Sequence, residues 1–83
     1  MNAKDAVVHR LSAICNKMKI KPNELATKAG VTPSTVYSLL DSSRRDVSIL
    51  TIKKLCDGLE ISLREFFNDD IFDDLKCAGK TKI

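Results

Sequence analysis

Gly30, Val31 and Thr32 are all that separate one amphipathic segment from the next, and this short gap constrains the fold of the 83-residue chain more than any other feature. In "KPNELATKAG" (21–30), Pro22 suits the first position of a helix, where its missing N–H would be unbonded anyway. Leu25, Ala26 and Ala29 form one apolar stripe, and Gly30 supplies the left-handed residue that ends a helix. Thr32 then caps a second helix with Pro33 at its first position, and Val36, Leu39 and Leu40 point inward. Two short helices, about 22–29 and 33–40, are predicted with a tight turn between them.

Around this pair the rest of the chain also reads as helical. Val7, Leu11, Ile14, Cys15 and Met18 recur at the three-to-four interval of a helix over about 3–19, with Asn2 as its N-cap and Asp5 three residues on. "DSSRRDV" (41–47) has no periodicity and reads as a loop. Ser48 caps a fourth helix whose stripe is Ile49, Ile52, Leu55, Cys56 and Leu59, and the quartet from Ser62 to Glu65 is a capping box opening a short fifth helix with Leu63, Phe66 and Phe67. No strand pattern or repeat appears. The fold class is therefore all-α: a compact five-helix domain with a helix-turn-helix at helices two and three. Its expected extent is 1–67, with 68–83 an acidic then basic tail. Within that tail, "NDDIFDDL" (68–75) is either one extra turn of helix in a frayed segment, or a docking strip in which Ile71, Phe72 and Leu75 meet a partner. The final "KCAGKTKI" is expected to be disordered.

Composition removes several function classes. Three cysteines, Cys15, Cys56 and Cys77, are odd in number and widely spaced, which suits neither a disulfide framework nor a zinc site. Cys15 and Cys56 fall on apolar helical positions, as small core residues do. No apolar run reaches membrane-span length and the start is not of signal-peptide type, so a cytoplasmic protein is expected, with no membrane partner. His9 is the lone histidine and no nucleophile or carboxylate is placed around it, so no catalytic residue is assigned and no enzyme is expected. The carboxylates at 69, 70, 73 and 74 lack the glycine and spacing of a calcium loop, so no metal, cofactor or small-molecule ligand is called for. The net charge of +3 is uneven: residues 1–45 hold eight basic and three acidic groups, 46–83 six basic and eight acidic. A basic first half is compatible with a polyanionic partner.

The outer face of helix 33–40 carries Pro33, Ser34, Thr35, Tyr37 and Ser38, with Asp41 at its end. Lys, Glu or Gln would favour a purely solvated helix. Short hydroxyl side chains instead let a helix approach base edges and phosphates closely, donating or accepting. At these residues the chain resembles a known family. "ELATKAGVTPSTVYSLL" followed by "VSILTIKKLCDGLEISLREFF" is similar to the Cro and phage-repressor (Xre-like) helix-turn-helix regulators, over about residues 5–67.

The resemblance implies that helix 33–40 reads the major groove of double-stranded DNA. It places base contacts at Pro33, Ser34 and Ser38, with Thr32 and Thr35 near the backbone or an adjacent base, and Tyr37 on a phosphate, sugar or thymine methyl. Phosphate contacts fall at the start of helix two (Lys21, Pro22, Asn23), at Lys28, and on the loop residues Ser42, Ser43, Arg44 and Arg45. Several departures stand out. Many relatives have Gln where Pro22 and Pro33 stand, and Gly where Ser42 stands. An Arg–Glu pair of several relatives is replaced by Cys15 and Leu40, both apolar, so no buried charge is left unpaired. The expected function is a transcriptional regulator, a repressor acting by occlusion, as a homodimer on a palindromic site. The alternative is a protein-interaction module, antitoxin-like or an accessory regulator, that keeps the fold with weak or no specific DNA binding.

Overall fold

The computed structural model describes residues 2–41, 46–73 and 75. Ser42, Ser43, Arg44, Arg45 and Cys77 lie outside the described residues. Five α-helices follow one another: α1 (Ala3–Met18), α2 (Pro22–Ala29), α3 (Pro33–Leu40), α4 (Ile49–Leu59) and α5 (Leu63–Phe67), with a 3-10 turn at Asp70–Phe72. Each start has a local cause. Asn2 accepts the Asp5 N–H at 2.8 Å, Ser48 that of Thr51 at 3.0 Å, and Ser62 that of Glu65 at 3.0 Å. The stops at Lys19, Gly30 and Glu60 all adopt positive φ. α1 thus ends one residue before the 19 expected, because Lys19 turns left-handed and sends its N–H back to the Asn16 and Cys15 carbonyls.

One core joins the helices: Val7, Leu11 and Ile14 of α1, Leu25 and Ala26 of α2, Val36 and Leu39 of α3, Ile52, Leu55, Cys56 and Leu59 of α4, and Phe66 of α5. Burial pushes the Cys56 thiol above its ordinary pKa, with Asp57 adding to the rise, and does the same to half-buried Cys15. Both therefore stay protonated at neutral pH and behave as small apolar side chains. The stripes are exposed at their ends. Ile49, expected inside, is 61% exposed because it opens α4 before the helix meets the core, and Met18, in the last turn of α1, is also exposed.

α2 lies along α4, and Gly58 is what lets it approach. A Cβ at Gly58 would stand 2.7 Å from the Ala29 nitrogen and 2.8 Å from its Cα, both backbone atoms of α2.

The end of α5 is tied to α1 by a residue with no recognisable signal in the sequence. Arg10 donates from Nε to the Phe66 carbonyl at 2.7 Å and from Nη2 to the Glu65 carbonyl at 2.8 Å, and its Nη1 reaches Asp69 at 3.4 Å. It thereby bonds the Phe66 carbonyl at the end of α5 and shares the Glu65 carbonyl with the Asn68 N–H of the cap. Phe72 then folds onto Phe67 (centroids 4.9 Å apart) and Phe66 (6.2 Å). Phe72, one of the residues of the alternative docking strip at 68–75, thus turns its ring onto this chain's own core. Arg10→Ala is expected to cost about 2 kcal/mol in urea unfolding, through two charge-assisted bonds to carbonyls. Asp69→Ala should cost less than about 1 kcal/mol, since its ion pair is partly exposed.

Candidate nucleic-acid interface

α2 and α3 are set at an angle by a turn whose hydrogen bonds are all local. Gly30, at φ 71° and ψ 29°, donates to Thr27, and the Val31 N–H returns to the Ala26 carbonyl at 3.0 Å. A side chain at that φ would be strained, so glycine is what permits the turn. Thr32 then leaves in extended geometry and caps α3, accepting the Thr35 N–H.

At the start of α3 three hydroxyls meet. Thr32 Oγ1 lies 2.9 Å from Ser34 Oγ and 3.0 Å from Thr35 Oγ1, besides receiving the Thr35 N–H. A hydroxyl has one proton and two lone pairs, so Thr32 is saturated and works as the cap, its methyl group remaining for contact. Ser34 and Thr35 keep bonding capacity for a ligand. α3 has no acidic residue in its first turn, so the positive end of its dipole is unopposed from within.

Pro33, Ser34 and Tyr37 are exposed and Thr35 and Ser38 half-buried, while Val36 and Leu39 anchor the opposite face. Of the six candidate base contacts, Pro33, Ser34, Tyr37 and Ser38 therefore share one side of α3, while Thr32 and Thr35 lie around its N-terminal end. Beside them runs an open groove of about 280 Å³, bounded by Ser34, Thr35, Ser38 and Leu39 of α3 and by Asp46, Val47, Ser48 and Thr51. Ser48 and Thr51, whose hydroxyls lie 2.8 Å apart, extend the hydroxyl-rich surface onto α4. In the sequence Ser48 signals only a cap, because nothing local shows that α4 begins beside α3.

The phosphate candidates divide between two places. Lys21 is the N-cap of α2 and makes no side-chain cap bond, and Pro22 has no N–H, so Asn23 and Glu24 present the open amides of that helix start. Lys28 lies in the last turn at the other end of α2, about 9 Å along the axis from Pro22. The four loop candidates, 42–45, fall outside the described residues.

A turn of this geometry, flanked by α1 before and α4 and α5 after, is a complete helix-turn-helix unit. The family model for the Cro/C1-type HTH DNA-binding domain matches residues 10–70. The chain belongs to this Cro/C1-type family. The match spans α2 to α5 and most of α1, so it takes in Arg10 and its α5 partners as well as the turn. No curated protein and no solved structure matches the chain. Among the described residues of this Cro/C1-type protein no cluster of three or more His, Cys, Asp or Glu is arranged to hold a metal ion, and no helix is long and apolar enough to cross a membrane.

Proposed function

We propose that this Cro/C1-type protein is a sequence-specific regulator of transcription, a repressor that lays α3 in the major groove of an operator and occludes polymerase. The observation that supports this most is the hydroxyl cluster at the start of α3: compact, solvent-facing donors and acceptors at a positive helix end with no carboxylate in that turn. In this reading Pro33, Ser34, Thr35, Tyr37 and Ser38 face bases, joined by the Thr32 methyl. Lys21, the amides following Pro22 at Asn23, Lys28, Ser42, Ser43, Arg44 and Arg45 meet phosphates. The protein works in the cytoplasm on the nucleoid, without a cofactor, as a homodimer whose two α3 helices enter grooves one turn, about 34 Å, apart. The strongly exposed Ile49 and Leu50 at the start of α4 supply apolar surface for such a pairing.

Two sets of variants test the division of labour. Arg44→Ala with Arg45→Ala is expected to weaken binding about equally on all duplexes and to lower the salt slope by roughly two units per protomer at most. Ser34→Ala or Ser38→Ala should instead change the preferred sequence. Identical selected sequences for both serine variants and the parent would remove α3 as the reader.

A further inference from the structure

Lys4 is the one charged side chain in the described core, only 4% exposed, and its position opposes the preference of its own helix. It lies in the first turn of α1, where the helix dipole disfavours a cation, and burial adds a desolvation cost. A lysine kept there despite both costs has its compensation elsewhere. Its Nζ donates to the main-chain carbonyl of Asp41, the C-cap of α3. α3 has no basic residue in its own last turn and its cap is extended rather than left-handed, and α1 brings a cation to that negative end. Asp46, where the chain comes back toward α4, lines the same groove as Lys4, together with Val7, Val47, Ile52 and Phe67.

We infer that Lys4 is a positioning residue for α3: from α1, its ammonium pins the C-terminal end of the helix at the Asp41 carbonyl. The inference rests on the DNA-binding reading only for its functional consequence, since the clamp itself belongs to the free protein. It also differs in kind from a core contact. Replacing the ammonium by a methyl thioether of similar length keeps the volume and removes the desolvation cost, while the Asp41 carbonyl loses the bond from Lys4.

The test is hydrogen exchange on free Lys4→Met and Lys4→Arg. Lys4→Met should unfold at a urea midpoint close to the parent's, while the amides of Leu39, Leu40 and Asp41 exchange at least about tenfold faster and those of Leu25 and Leu55 stay unchanged; Lys4→Arg should restore much of the protection. Unchanged exchange at 39–41, or a uniform rise across the core, would overturn the clamp. Should Lys4→Met fail to fold, the parent decides: a Lys4 ammonium signal protected from solvent exchange supports the clamp, and one lost like those of surface lysines contradicts it. With DNA, Lys4→Met should bind the selected duplex about tenfold more weakly than the parent. Equal affinity would refute the positioning role, whereas a parent that selects no duplex would refute the DNA-binding reading while the exchange data still judge the clamp.

Discussion

Gly58→Ala is expected to destabilise the protein by about 2 kcal/mol, lowering the thermal midpoint by about 10 °C. Two effects oppose each other. Alanine at Gly58, in the last turn of α4, gains at most about 1 kcal/mol in helix propensity over glycine. Against that, its Cβ would sit under 3 Å from three atoms, the Ala29 N and Cα and the Lys28 carbonyl carbon, all of them backbone. A flexible side chain would move aside at little cost, but here the whole of α2 must shift by several tenths of an ångström. Overpacking of this kind costs about 1–3 kcal/mol, and the upper part of that range applies when main chain is what must yield. Because α2 also carries the turn into α3, the displacement should weaken DNA binding in parallel. Urea unfolding of the variant beside the parent measures the first effect; a midpoint equal to or above the parent's would mean that α2 and α4 do not approach as described.

Ser34→Glu separates folding from binding. Ser34 is the second residue of α3, exposed, and in a first turn without any acidic group. A carboxylate there meets the positive end of the helix dipole and should leave stability unchanged or raise it by about 0.5 kcal/mol. Placed in a groove walled by phosphates, the same carboxylate should cost at least about a hundredfold in affinity, since opposed like charges across an interface cost several kcal/mol. Thermal unfolding and a duplex titration on one preparation read both quantities. Equal affinity for parent and variant would place Ser34 away from the DNA.

What the residues disclose by themselves depends on how far apart the interacting groups lie. The turn from α2 to α3 is legible because its signals are local: Pro22, Gly30, Thr32 and Pro33 each act on backbone within a few residues. The caps at Asn2, Ser48 and Ser62 are legible for the same reason, and so are the core stripes, whose period is a property of one helix. Arg10 and Lys4 are not. Their acceptors lie 56 and 37 residues away and are main-chain carbonyls, which no residue type marks. Gly58 reads only as a weak spot in a helix, since the need for its missing Cβ comes from α2, nearly thirty residues earlier. Ile49 illustrates the converse: it satisfies the stripe of α4 yet faces solvent, because periodicity gives the direction of a side chain and not whether a neighbour reaches it. The candidate contacts at 33–38 were visible as an unusual composition for a solvated helix face, whereas the hydroxyls of Ser48 and Thr51 join them only once α4 is seen to start beside α3.

The most direct test of sequence-specific DNA binding is selection from a random duplex pool, followed by fluorescence anisotropy of the winner and a scrambled control across a salt series. An enriched palindrome with half-sites about one helical turn apart is expected, bound roughly a thousandfold more tightly than the control at physiological salt. A pool that yields no enriched sequence, with binding that is weak and equal on both duplexes, would contradict that expectation.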